Sequence, residues 1–132
     1  MSEEIYAGKE LGVRRFTITP EDVNQYMESI GDRNPWYTGE SPFGDPVAPA
    51  LILHSESTSF EGWYLENIFG NLYARQIWEI NRPILVGQEF VSQGRVAERY
   101  HKRGREYVVC EVEVKDQSGA LVARGFHHQS FL

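Results

Sequence analysis

From Asn71 onward the apolar residues of this chain recur at every second position, and that period constrains the fold more than any other feature. Residues 107–115 show it best. Val108, Cys110, Val112 and Val114 share one face, while Val109 stands with Glu111, Glu113 and Lys115 on the other. Side chains alternate between the faces of a strand, so this pattern suits a sheet with one face on a core and one toward water. The same reading makes strands of 72–81, 89–100 and 120–131, with hairpin turns at 101–104 and 116–119. Connections that short join antiparallel neighbours. The second half of the chain is therefore expected to be an antiparallel meander.

The first half is organised differently. Residues 13–19 read as a short strand, and Thr19 then caps a helix. Pro20 suits the first helical position, Glu21 and Asp22 suit its positive end, and Gly31 is the expected stop. Between them Val23, Tyr26, Met27 and Ile30 form one apolar stripe at i, i+3, i+4 and i+7. A second helix is expected to begin at Pro49 or Ala50. Its apolar run, Ala50-Leu51-Ile52-Leu53, passes into His54-Ser55-Glu56-Ser57-Thr58-Ser59, where middling helix formers leave it either short or with a polar face toward a cavity. Residues 60–69 are aromatic and are bounded or broken by Gly62 and Gly70. Helices first and a meander after them give an α+β fold in a single domain, 1–132, without repeats or a linker.

Charge and composition exclude several function classes. A net charge of −6 argues against sequence-independent binding to nucleic acid or to an anionic membrane surface. No run approaches the roughly 18 apolar residues of a membrane span, and the acidic N-terminus lacks a signal-peptide core. One cysteine, Cys110, permits no internal disulfide and fits a reducing, cytoplasmic compartment. It sits on an apolar face and reads as core. His127 and His128 alternate on the last strand, so at most one faces inward, and no third residue at metal spacing joins them.

The stretch 31–53 stands apart. It holds two dense runs of turn residues, Gly31-Asp32-Arg33-Asn34-Pro35 and Ser41-Pro42-Phe43-Gly44-Asp45-Pro46, yet it also carries Trp36, Tyr37 and Phe43. A loop with such large apolar side chains lines a pocket or an interface more often than it links two elements. With the amphipathic helix before it, the Asp45-Pro46-Val47-Ala48-Pro49 entry to an apolar helix, and the turn Arg82-Pro83-Ile84-Leu85-Val86-Gly87, this order resembles the MaoC-like hot-dog family. That family includes (R)-specific enoyl-CoA hydratases and 3-hydroxyacyl dehydratases. The resemblance implies a curved antiparallel sheet wrapped around a central helix, with two such folds paired as a homodimer or as a heterodimer with a homologous chain. It implies a hydro-lyase acting on an acyl thioester of coenzyme A or of a carrier protein, with no cofactor and no metal.

By the same resemblance, Asp32 maps onto the carboxylate that handles water, Asn34 onto its supporting amide, and Ala50 onto the helix N–H that polarises the thioester. Trp36 and Tyr37 are open to two roles, walling an acyl or pantetheine tunnel at the substrate site or packing at the interface between the paired folds. The chain departs from the pattern where the catalytic imidazole belongs, five residues after the aspartate, because that residue is Tyr37. A phenol of ordinary pKa near 10 is a poor general base at neutral pH. The Trp36-Tyr37 and Ala48-Pro49 pairs are similar to the N-terminal halves of two-domain hydratases and to the substrate-binding subunits of heterodimeric dehydratases. In both of those the catalytic pair comes from the partner fold. The implied function is therefore the acyl-binding partner of a heteromeric enzyme. The alternatives are a self-sufficient homodimer using Asp32 with Tyr37 or His54, and a hot-dog thioesterase or acyl-CoA binder. Read locally, each candidate also has a structural role open to it. Asp32 serves equally as a turn aspartate, His54 as a hydrogen-bonded core histidine, and Lys102, Arg103 and Arg105 as ordinary hairpin charges.

Overall fold

The computed structural model describes residues 4–65 and 70–132. Five strands form one antiparallel sheet in the order β1-β3-β4-β5-β2. They are β1 (Glu10–Thr17), β2 (Leu72–Ile80), β3 (Glu89–Lys102), β4 (Arg105–Lys115) and β5 (Leu121–Phe131). The expected meander is present from β3 to β5. β2 joins it on the far side, pairing with β5 with Ile77 opposite Phe126.

Helix α1 (Pro20–Ile30) follows the sequence closely. Thr19 Oγ1 accepts the Asp22 amide at 3.1 Å, the Asp22 carboxylate accepts the Thr19 amide at 2.9 Å, and Gly31 ends the helix at φ 71°. A left-handed residue after the last turn favours glycine, which has no Cβ to clash. The expected first strand is shifted toward the N-terminus, because Gly8 and Lys9 bond to Val96 and carry the chain onto β3 three residues earlier. β3 likewise runs two residues past the expected end. Its turn is the pair Arg103 (φ 51°) and Gly104 (φ 78°), the two-residue geometry that suits the twist of a hairpin.

The larger correction concerns the second helix. Ala50–Ser59 is a 3-10 helix, and it continues through the polar run that was expected either to shorten it or to face a cavity. In a 3-10 helix residues three apart eclipse one another. Leu53 and Glu56 therefore fall on one line, and His54 and Ser57 on another. Leu53, Glu56 and Ser57 are buried, whereas His54 and Ser55 are exposed. The polar residues stay in the helix because the sheet satisfies them. Glu56 accepts from Arg14 at 2.6 Å and from Ser92 at 3.0 Å, and Ser57 Oγ meets His127 Nδ1 at 2.5 Å.

The core lies between this helix and the inner face of the sheet. Val108, Cys110, Val112 and Val114 are all buried there, as their alternation required. Burial pushes the Cys110 thiol up to about 12, so it stays protonated. Two sheet glycines make room for rings. A Cβ at Gly94 would meet Phe60 at 2.8 Å, and one at Gly125 would meet Trp78 at 2.5 Å. On the outer face Glu111 is buried as well, held by Arg95 at 2.6 Å and by Arg124 at 3.5 Å. Of the aromatic segment 60–69, residues 66–69 lie outside the described part. The remainder buries Phe60 and Trp63 beneath the sheet. No described helix is long and apolar enough to cross a membrane. Among the described residues no group of three or more His, Cys, Asp or Glu is placed to hold a metal ion.

Candidate active site

The loop after α1 is built from two successive side-chain turns. Asp32 Oδ1 accepts the Asn34 amide at 3.1 Å, and Asn34 Oδ1 accepts the Trp36 amide at 3.0 Å. Short carboxylate and amide side chains that cap the backbone two residues on are what make such loops rigid. Pro35–Tyr37 then forms one turn of 3-10 helix. This turn swings the Tyr37 ring back, and its hydroxyl donates to Asp32 Oδ2 at 3.3 Å. Residues 32 and 37 thus meet, five positions apart in sequence. The phenol is held above its ordinary pKa of 10, first by burial and then by the Asp32 charge and hydrogen bond. At neutral pH Tyr37 is a donor to the carboxylate and cannot take a proton from it.

Trp36 faces a different place. Its carbonyl accepts the Val47 amide at 2.9 Å, which ties the loop to the proline-rich entry of the central helix. Ser41 organises that entry, donating to the Asp45 carbonyl at 2.5 Å and accepting from the Phe43 amide at 3.1 Å. Ala48 and Val86 complete it by bonding to the Ile84 and Pro46 backbones. The result is a mostly apolar groove of about 480 Å³ walled by Trp36, Phe43, Ala50, Ile80 and Ile84, with Arg82 at its edge. Ala50 opens the central helix at this wall, where the first amides of a helical turn lack intrahelical partners.

His54 lies apart from both. It borders a cleft of about 470 Å³ between α1, β1 and the central helix, together with Arg14, Tyr26 and Glu56. Its ring stacks on Tyr73 at 4.9 Å, so it is neither a core histidine nor a neighbour in that cleft of Asp32, which borders another surface with Asn24, Glu28 and Arg33. Within one chain, then, Asp32 and Tyr37 are together, Trp36 and Ala50 are together, and His54 is separate. The loop from Asp32 to Tyr37 is the link between the first two pairs.

A second polar cluster, which no motif marked, lies between the central helix and β5. His127 is fully buried, with its Nδ1 accepting from Ser57 Oγ at 2.5 Å and its Nε2 donating to Gln129 Oε1 at 2.7 Å. Gln129 in turn donates to Asn71 at 2.8 Å. Tyr73 stacks on the ring at 3.7 Å, and Trp63 meets it edge-on at 4.8 Å. Burial pushes its pKa down to about 4. Trp63, Tyr73 and the groove residues Phe43 and Ile80 had no motif to flag them, although Phe43 belongs to the loop marked by its unusual apolar content.

Comparison with known proteins places this geometry in a family. A model of the FAS1-like dehydratase domain region matches residues 6–124. No curated protein matches the chain significantly. Among solved structures, the (R)-hydratase from A. caviae involved in PHA biosynthesis superposes with TM-score 0.78 at 18% identity, over 99% of this chain and 100% of that one. The HadBC (3R-hydroxyacyl-ACP dehydratase) complex from Mycobacterium tuberculosis gives 0.79 at 14% identity, over 98% and 99%. The R-hydratase PhaJ1 from Pseudomonas aeruginosa gives 0.72 at 20% identity, over 96% and 81%. At such identities these likenesses speak for the fold, and the match to the family model speaks for kinship. The chain belongs to the FAS1-like dehydratase domain family, on the MaoC-like hot-dog fold that its Asp32 loop and central helix resemble.

Proposed function

We propose that this chain is the acyl-binding component of an enoyl-thioester hydratase or dehydratase assembled from two hot-dog folds. In this reading the apolar groove holds the acyl chain of a coenzyme A or carrier-protein thioester. The proton-transferring imidazole comes from the paired fold. One observation carries the reading: Tyr37, where the family's histidine belongs, donates to Asp32 at 3.3 Å and has its pKa raised. Hydration of an enoyl thioester needs a base to take a proton from water, and a phenol held in its protonated form does not supply one. The groove supports the binding half, since a concave, mostly apolar site with a few polar groups at its edge suits a thioester.

In the heteromeric form a homologous chain brings the histidine. A second reading, the self-sufficient homodimer, is favoured by the exposed position of His54 at the β2 side of the molecule. The test is hydration of trans-2-enoyl-CoA of short and long chain by the purified chain alone, followed by loss of the enoyl absorbance. Binding is measured in parallel through tryptophan fluorescence, with Trp36→Phe identifying the share that comes from the groove. Binding without turnover is the result expected of the acyl-binding component. Turnover that disappears in Asp32→Asn would overturn it in favour of the self-sufficient enzyme.

A further inference from the structure

Among the described residues that line the apolar groove, Arg82 alone carries a charge. In a mostly apolar site the few polar groups are what fix a ligand's orientation and decide which ligand fits. The backbone beneath Arg82 is set. The amides of Asn81 and Arg82 both donate to the Val122 carbonyl, at 2.8 and 3.3 Å. Pro83 follows, and the residue before a proline is pushed to extended backbone. The side chain therefore leaves from a fixed point on the groove's edge, next to Asn81.

Its guanidinium is weakly engaged. Arg82 Nη1 stands 4.0 Å from Asp116 Oδ2, and the side chain is 59% exposed. The arginine ion pairs elsewhere among the described residues close to between 2.6 and 3.5 Å. Asp116 does not depend on Arg82 either. Its Oδ1 accepts the Ser118 hydroxyl at 2.6 Å and the Ser118 and Ala120 amides at 2.9 and 3.1 Å, which closes the turn between β4 and β5. The Asp116 carboxyl is held below the usual carboxylate range first by that hydroxyl, and Arg82 contributes least. A planar fork of N–H donors at the rim of an apolar groove is thus left with one distant oxygen.

We propose that Arg82 receives a carboxylate at the far end of the acyl chain, so that the groove selects monothioesters of dicarboxylic acids. A guanidinium matches a carboxylate through two parallel hydrogen bonds. Exposed ion pairs are weak, but a chain that fills the groove covers the apolar walls beside Arg82 and takes water from one side of the pair. The sign of the effect is diagnostic. The chain carries a net charge of −6, so an added negative charge on the ligand is repelled unless a local cation meets it. This inference rests on the acyl-binding reading above, because it takes the acyl chain to lie in the groove. The other anion that a thioester brings is the phosphate of its carrier, and the test separates the two.

Calorimetric binding of the monothioesters of trans-2-hexenedioic, octenedioic and decenedioic acids is compared with that of the trans-2-hexenoyl, octenoyl and decenoyl thioesters. Each is presented on coenzyme A and on N-acetylcysteamine, which has no phosphate. The carboxylated chain should bind about tenfold more tightly on both carriers, at the length that reaches Arg82. Arg82→Gln should abolish this preference and leave the uncarboxylated chains at their wild-type affinity, which shows the groove intact. Arg82→Lys should keep part of it, since the charge remains and the fork is lost. Equal affinity for the two series at every length, or a preference that survives Arg82→Gln, would overturn the proposal. So would an Arg82→Gln variant that weakens both coenzyme A series alike and neither N-acetylcysteamine series, because Arg82 would then read the carrier phosphates. Each of those results leaves acyl binding standing. A chain that binds no thioester of either series contradicts the acyl-binding reading itself, and the proposal falls with it.

Discussion

The chain Asn71–Gln129–His127–Ser57 and the loop Asp32–Asn34–Tyr37 are both sets of polar groups that satisfy one another, but they sit in opposite surroundings. The first is sealed between the central helix and β5, with His127 fully buried. The second lies at the surface, with Asp32 and Tyr37 only partly covered. A buried polar group left without a partner loses its hydration and gains nothing, whereas an exposed one turns to water. The first cluster is therefore expected to govern stability and the second to be free for chemistry. His127→Ala should separate them most sharply. It leaves Ser57 Oγ and Gln129 Oε1 without their histidine partner and opens a hole between Trp63 and Tyr73, at a cost of about 3–5 kcal/mol in urea unfolding. Asp32→Ala should cost no more than about 1 kcal/mol. Comparable losses from both would dissolve the distinction.

Acid probes the same contrast without a cavity. The His127 pKa is lowered from its ordinary 6.5 to about 4, chiefly by burial, with His54 and His128 adding to the depression. The folded state therefore favours the neutral ring. Its contribution is complete above pH 6.5 and is lost as pH falls toward 4, because the unfolded chain takes up a proton that the folded chain refuses. Over that window the loss amounts to ~3 kcal/mol. Urea midpoints measured between pH 7 and 4 should fall more steeply for the wild type than for His127→Gln, which does not titrate. Parallel curves would mean that His127 titrates over the same pH range in the folded and unfolded states.

How much of this was legible depends on whether a residue's role is local. Helix α1 could be read because Thr19, Pro20, Asp22 and Gly31 act on their own backbone within a turn. The alternation of β4 could be read because neighbours along the strand report their own faces. The family resemblance set Asp32 and Tyr37 at the positions of an interacting pair, and a phenol can only donate to a carboxylate, as Tyr37 does at 3.3 Å. The length of the central helix was left open by the sequence because its polar half is stabilised from a distance, by Arg14, Ser92 and His127, which lie 42, 36 and 70 residues from their partners. His127 was narrowed to one of two faces and no further, since nothing in its neighbours names Ser57. The split between the Asp32 loop, the groove and His54 is likewise tertiary. Spacing places His54 one turn beyond Ala50 on an α-helix, and 3-10 winding turns it toward Tyr73 instead.

The surface loop can be tested by returning the family's residue to position 37. Tyr37→His replaces a phenol already in contact with Asp32 by a shorter ring whose ordinary pKa is near neutrality. The shorter side chain leaves room for a water between the imidazole and the carboxylate, the arrangement that hydration of an enoyl thioester requires. General acid–base catalysis by a well-placed group contributes about 10²–10⁴-fold. Hydration of trans-2-enoyl-CoA should therefore rise by about 100-fold or more over the wild-type chain alone, equivalent to about 2.7 kcal/mol of barrier, and should vanish again in Tyr37→His with Asp32→Asn. Stability should change by less than about 1 kcal/mol, because the exchanged ring lies in the half-covered loop and takes no part in the His127 cluster. A large loss of stability would show that the loop supports the fold as the buried cluster does. An unchanged rate in a well-folded variant that still binds acyl-CoA would show that a histidine at position 37 is not what this site lacks, and would move the search for the imidazole to His54.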